Sequence, residues 1–358
     1  MSDLRQGAAA LEQHMSQVIL PAQLGDLYRY FDLPDVQEIM INDPTNIWIE
    51  KSGVYQKLDM KLDASRVTGV ITTIANLNQT GSGGESKLLN CRLPGLRIAA
   101  ALAPISHLGP SMSIRRHSAR VFDLDHYVAS GAFDAHWPQP KDGRKLVTLS
   151  RPERADIAKG GVALKEMFQH LIYEHYNQML CGSTSSGKTT LLNAMAREIP
   201  HSDRLLTIEE PHELQIIVPN WVGFEANASL GVSTRDLVKH ALRYRPNRIM
   251  VGEVRGAEAF DVLDAYNTGH PGSGFSMHSD SALMGLYRFE NMVRMAPEAA
   301  NWPLHDLRRQ IAATFPYVIH AATVDGARGP SELIQVMGIN ERGEYLTESL
   351  FKKSKATA

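Results

Sequence analysis

Between Leu11 and Phe31 apolar residues fall at Leu11, Met15, Val18 and Ile19, then at Leu24, Leu27 and Tyr28, a helical spacing in both sets. Pro21 divides them, so two short helices are predicted. The period then shortens to two. Residues 36–41 and 47–50 alternate apolar and polar around the turn cluster Asn42-Asp43-Pro44-Thr45-Asn46, which reads as a hairpin. A third strand is expected over 55–58. Val67, Val70, Ile71, Ile74 and Leu77 share one helical stripe over 65–77, and further strands fall near 96–102 and 112–114. Gly81-Ser82-Gly83-Gly84 reads as a loop, and Pro138-Gln139-Pro140-Lys141-Asp142-Gly143 as a linker.

From Arg154 helices alternate with apolar strands, the order of a doubly wound sheet. Helix is expected over 155–176, broken at Gly160-Gly161, and strands over 177–181, 204–208 and 248–253. Further helices fall at 233–242, capped by Ser233 or Thr234, and at 258–267, 281–295 and 303–314. Residues 317–324 and 332–339 form a late hairpin around Asp325-Gly326-Ala327-Arg328-Gly329. The boundaries are therefore 1–137 for an N-terminal α+β domain, 138–153 for a linker and 154–358 for an α/β domain.

Composition leaves this picture intact. The chain has 358 residues, 43% of them hydrophobic and 21% charged, which gives ample core for two domains. A net charge of −2 carries no global footprint for nucleic acid or anionic lipid. Cys91 and Cys181 lie far apart and read as reduced thiols. No apolar run reaches membrane-spanning length, and the N-terminus has no signal-peptide pattern.

One stretch carries decisive chemistry. Gly182-Ser183-Thr184-Ser185-Ser186-Gly187-Lys188-Thr189 fits G-x-x-x-x-G-K-[ST], between a short apolar run and a helical pattern that begins with Thr190. Such a loop turns successive amides onto a polyphosphate at a helix start. Lys188 would meet the outer phosphates, and the Thr189 hydroxyl would bind Mg²⁺. Ligands of open α/β sheets gather at the carboxyl ends of strands, where two runs here end in acid. Glu253 is expected to be the water-polarising base, with Glu209 and Glu210 supporting Mg²⁺ or its water shell. His270 and His278, in a Gly/Ser-rich segment after Glu253, suggest a γ-phosphate sensor. Arg92, Arg97, Arg115, Arg116 and Arg120 cluster in the first domain. Arg243, Arg245, Arg248 and Arg255 surround the Glu253 strand, and one of these is expected to act as an arginine finger in trans.

These motifs, in order, resemble the hexameric secretion and pilus-motor ATPases, in the branch serving type IV secretion and conjugation. The resemblance is carried by Cys181 to Thr190, Leu206 to Leu214, Leu242 to Gly256 and Thr268 to His278, and by Glu38 to Asn42 and Gly109 to Arg115 in the first domain. It implies a RecA-like P-loop domain preceded by a smaller sensor-like α+β domain, with ATP bound between them. It also implies a homohexamer at the cytoplasmic base of an envelope-spanning channel, peripheral to the inner membrane. There it would meet channel and coupling proteins and power pilus assembly and substrate transfer. Arg97 and Arg115 match the arginines that would reach the nucleotide. Ser185 stands where the family usually has Gly, Glu210 where Asp is usual, and Ser276 and Ser279 replace the usual Thr and Ala, so slower turnover is expected. The lack of clustered cysteines separates the chain from the zinc-carrying type II branch.

Three alternatives follow. A DNA-translocating RecA-like motor needs a basic groove with stacking residues, and the charge balance disfavours it, so no direct contact with nucleic acid is expected. A type IV pilus assembly or retraction ATPase would share the boxes. A small-molecule kinase would be monomeric with an arginine-rich lid.

Overall fold

The protein, represented by a computed structural model, is described here over residues 13–33, 35–77, 87–116, 149–324 and 327–353. The glycine loop at 81–84, Arg120 and the linker motif at 138–143 lie outside these residues. The chain opens with a π-helical turn at Met15–Ile19, a short helix at Leu20–Leu24 and a 3₁₀ segment at Gly25–Asp32. Pro21 sits in the first turn of that short helix, where its missing N–H costs nothing.

Six strands follow: β1 (Val36–Asp43), β2 (Asn46–Lys51), β3 (Val54–Lys57), β4 (Leu88–Leu93), β5 (Leu96–Ala101) and β6 (Ser111–Arg116). They form an antiparallel sheet in the order β3-β2-β1-β6-β5-β4. One face packs on the helix Ala64–Leu77 through Ile39, Ile41, Ile98, Ile114, Val70 and Ile74. That helix and the first three strands follow the sequence pattern closely. β4, an additional strand, also alternates, with Leu89, Cys91 and Leu93 buried and Asn90 and Arg92 exposed, and it pairs antiparallel with β5.

The second sheet holds β7 (Gln178–Gly182), β8 (Arg204–Glu209), β9 (Asn220–Glu225), β10 (Arg248–Val251), β11 (Gly274–Met277), β12 (Tyr317–Val324), β13 (Ala327–Ile339) and β14 (Tyr345–Lys352). Its order is β14-β13-β12-β7-β11-β10-β8-β9, parallel from β12 to β9 and antiparallel through β12, β13 and β14. Helices at Gly161–Tyr173 and Lys188–Ala196 contribute to the core on one face. Helices at Thr234–Ala241, Glu258–Asn267, Ala282–Val293 and Leu304–Thr314 contribute to the other. Strands buried on both faces read as short apolar runs, which is why β7, β8 and β10 were legible. Ser233 caps its helix with a reciprocal capping box to Asp236.

The second face of the first sheet is covered by the second domain. Ala99, Ala101 and Ile105 belong to the same apolar cluster as Phe224, Val238 and Tyr244. Buried polar contacts close the rest of the joint. The Arg204 guanidinium donates to Asn42 Oδ1 (2.9 Å), Asn220 Oδ1 (2.7 Å) and the Tyr244 carbonyl (2.9 Å). Arg245 pairs with Glu38 (3.0 Å) and with Glu50. The Tyr244 hydroxyl meets Ser111, and the Glu225 amide donates to the Ile105 carbonyl. Within one chain the two domains share a core, a firmer union than a Pro/Gly linker suggests.

Candidate active site

β7 delivers the phosphate loop at its carboxyl end. Gly182 has no room for a side chain, because a β-carbon there would overlap the Ala321 carbonyl of β12 and crowd Ser186 Oγ. Gly187, the residue before the helix Lys188–Ala196, has φ 89°, in the region that favours glycine. Ser185 has φ 59°, so the departure from glycine noted in the sequence falls on a position that holds a left-handed backbone. The Lys188 ammonium folds onto the loop and donates to the Gly182 (3.1 Å) and Ser183 (2.8 Å) carbonyls. Burial lowers the pKa of this ammonium, against the opposing charges of Glu253 and Cys181. Ser186 Oγ is buried and has no hydrogen-bond partner. An orphaned hydroxyl and a retracted lysine in one loop fit a phosphate chain, which would satisfy both. Thr189, half-buried in the first helical turn, offers the hard oxygen that Mg²⁺ takes beside phosphates and one or two carboxylates.

Glu253 lies two residues beyond β10. Its carboxylate meets His278 Nε2 at 3.1 Å and accepts from Arg255 at 2.7 Å. Burial pushes its pKa up, but the Arg255 hydrogen bond and the charges of Arg255, His278 and Lys188 outweigh burial and hold it below the usual carboxylate value. His278 follows β11, the strand between β7 and β10, and lines a cleft with Ser183 and Thr184 of the loop. Loop, base candidate and histidine thus meet at the carboxyl ends of three adjacent strands. Ser276 helps to hold them, because its hydroxyl donates to the Gly252 carbonyl at 2.5 Å and ties β11 to the turn bearing Glu253.

Glu209 has a different place from the metal or catalytic one expected of it. It is 3% exposed, and one oxygen accepts the amides of Glu213 and Leu214, both at 2.8 Å. The other meets His212 Nδ1 at 2.6 Å. Both oxygens serve the loop after β8. Glu210 is exposed and shares a cleft of about 630 Å³ with Glu253, Arg255 and Glu258. No motif or spacing in the chain indicates what His212 touches. Its ring stacks on His107 of the first domain with centroids 4.1 Å apart, and both lie against Trp221.

His270 is a correction. It precedes β11, at the end of the parallel sheet opposite the phosphate loop, and its Nδ1 bonds the Ala265 carbonyl at 3.1 Å. Seven residues of turn and strand separate His270 from His278, so the two histidines fall at opposite ends of β11. Arg248 is also removed from catalysis, being fully buried on Asp203 and on the Ile172 and Gly272 carbonyls. Arg245 is committed to the domain joint. Arg243 and Arg255 remain exposed. Arg97 and Arg115 stand side by side on β5 and β6, in one cross-strand row with Arg92 and Glu38. That row faces the second domain, as do Ala99 and Ala101 on β5. Among the described residues no hydrogen bond or ion pair joins Arg97 or Arg115 to the phosphate loop of the same chain.

A phosphate loop on a parallel sheet, with a carboxylate and a histidine on the neighbouring strand ends, defines a P-loop nucleotide hydrolase with a RecA-like core. Comparison with known proteins narrows the class. A family described as type II/IV secretion system protein matches residues 153–322. The chain is 31% identical over 336 residues to a probable conjugal transfer protein TrbB of Sinorhizobium fredii, spanning 92% of each. It is 28% identical over 335 residues to the protein VirB11 of Rhizobium radiobacter, spanning 91% of this chain and 96% of that one. The solved VirB11 ATPase of the Brucella suis type IV secretion system, in complex with sulphate, matches with a TM-score of 0.78 at 26% identity over 92% of this chain and 96% of that one. The chain belongs to the type II/IV secretion system protein family and is a secretion ATPase of the VirB11 and TrbB kind. No helix among the described residues is long and apolar enough to cross a membrane.

Proposed function

We propose that this chain hydrolyses ATP in a Mg²⁺-dependent way and that the energy drives a type IV secretion or conjugation machine. The observation that carries the reading is the Glu253–His278 pair, at 3.1 Å, on strand ends beside a phosphate loop with a retracted lysine. The backbone of Gly182, Ser183, Thr184, Ser185, Ser186 and Gly187 cradles the phosphates, and Lys188 swings from its own carbonyls onto the outer ones. Thr190, exposed in the first helical turn, sits where it meets an inner phosphate. Glu253, kept ionised, accepts the proton of the attacking water, and Arg255 and His278 fix its orientation. His278 also reports on the outer phosphate. Glu209 is a positioning residue that shapes the acidic loop and holds Glu210 towards the cleft. Mg²⁺ would be held by Thr189 with Glu210 nearby and would neutralise phosphate charge.

The row Arg92, Arg97 and Arg115 supports a role at a subunit boundary. Like charges directly across strands repel, so such a row is retained where an anion meets it. In a homohexamer these arginines would face the nucleotide, which is the role the family resemblance implies. Channel and coupling proteins of the inner membrane are the partners proposed for the ring, on its cytoplasmic side.

Steady-state ATPase assays test the site. Lys188→Ala is expected to abolish turnover and weaken ATP binding, and Glu253→Gln to lower kcat by about 10²-fold or more while binding stays within about threefold. Wild-type kcat in Glu253→Gln would remove Glu253 as the base.

A further inference from the structure

The hairpin of β12 and β13 has no part in the chemistry so far, yet Ala321, Thr323 and Arg328 lie against the phosphate loop. The Thr323 hydroxyl donates to the Ser185 carbonyl at 3.4 Å, and the Ala321 carbonyl fills the space beside Gly182. Arg328, paired across the hairpin with Thr323, stands next to the loop's second glycine. A β-carbon built on Gly187 would lie 3.6 Å from Arg328 Cβ. Arg328 is exposed, and among the described residues no hydrogen bond or ion pair engages its guanidinium.

The strand order gives this position a meaning. β7 bears the loop, with β11 and β10 on one side and β12 and β13 on the other. Glu253 and His278 lie on the β10 and β11 side, so the reacting end of a bound triphosphate points that way. The nucleoside must therefore leave the loop on the β12 and β13 side. β13 is two strands from β7, roughly 9–10 Å across the sheet, a span that a nucleoside extending from phosphates in the loop can bridge.

We propose that Arg328 is a nucleoside-binding residue whose planar guanidinium packs against the base of the nucleotide held by the loop. A guanidinium suits this task because it stacks on an aromatic face while keeping its charge hydrated at the edges. The inference rests on the nucleotide reading of the same site and adds a part of the ligand that the phosphate loop does not recognise.

Equilibrium binding of ATP, ADP and inorganic tripolyphosphate separates the two ideas. Arg328→Ala should weaken ATP and ADP by about tenfold and leave tripolyphosphate unchanged, with KM for ATP raised and kcat retained. Arg328→Gln, which keeps much of the length but loses the cationic plane, should fall between. Equal weakening of ATP and tripolyphosphate would make Arg328 a phosphate ligand and overturn the proposal, as would no change in either. Lys188→Ala is the control for the site itself. If it spares all three ligands, the nucleotide reading fails; if it weakens all three while Arg328→Ala weakens none, only the Arg328 assignment fails.

Discussion

Ser185 shows how much one residue's backbone can carry. Its φ of 59° is routine for glycine and costs a serine about 1 kcal/mol, an amount the loop's other contacts can offset. A β-branched side chain fits that region worse, so Ser185→Val is expected to destabilise the protein by about 1–2 kcal/mol, read as a lower thermal midpoint. Ser185→Gly should change stability by less than about 1 kcal/mol, because relief of strain is offset by the larger entropy of a freer unfolded chain. Its effect should appear instead as faster turnover. A second residue-scale test lies at the joint. His240, with Nδ1 against Asn90, has its pKa lowered by burial to about 4, with Arg243 adding to the effect. The unfolded chain then binds the proton more readily, so stability is full above the ordinary histidine pKa and is lost as pH falls towards 4. The loss amounts to roughly 3 kcal/mol over that window. His240→Gln should flatten this part of a denaturation profile measured against pH.

At the scale of elements, β7, β8, β10 and the helices of the second domain were legible because each has one dominant signal. β7, β8 and β10 are apolar runs, and the helix after Ser233 announces itself by its cap. β9 and β14 were not legible. β9 carries Asn220, Gly223 and Glu225 because it is a docking edge whose polar groups meet the first domain. Their role exists only in tertiary contact, where no local period can report it. The same holds at the site. The loop, Glu253 and His278 were visible from motif and spacing, whereas the saturation of Glu209 and the distance of His270 depend on which end of the sheet each occupies. Gly223 offers a test of the joint. A β-carbon there would overlap the His107 ring, whose Nδ1 lies 3.0 Å from the Gly223 carbonyl. Gly223→Ala should therefore unseat His107 from His212 and Trp221, which Trp221 fluorescence and faster amide exchange in β9 would register. Unchanged spectra and exchange would show that the stack does not fasten the domains.

For the whole molecule, the shared core and the buried charges argue that one chain's two domains move as a unit, so that in the proposed homohexamer nucleotide-driven rearrangement would occur at subunit boundaries. A rocking of the two domains within one chain would have to break Arg245 from Glu38 and Glu50 and expose Arg204. Removing one member of a buried charged set leaves the others uncompensated, so Arg245→Ala should cost about 3–5 kcal/mol in chemical denaturation. A cost within about 1 kcal/mol would mean that the joint opens readily and that the domains are free to rock. In the proposed homohexamer the arginine row on β4, β5 and β6 would find its anion where one subunit's face meets the site of another. All of this depends on Glu253 acting as the base, and the most direct test is the chemical identity of the nucleotide held by Glu253→Gln. After incubation with ATP and Mg²⁺ and removal of free ligand, the account predicts that the variant retains ATP whereas the wild-type protein retains ADP or none. Recovery of ADP alone from Glu253→Gln, at the wild-type rate of formation, would contradict it.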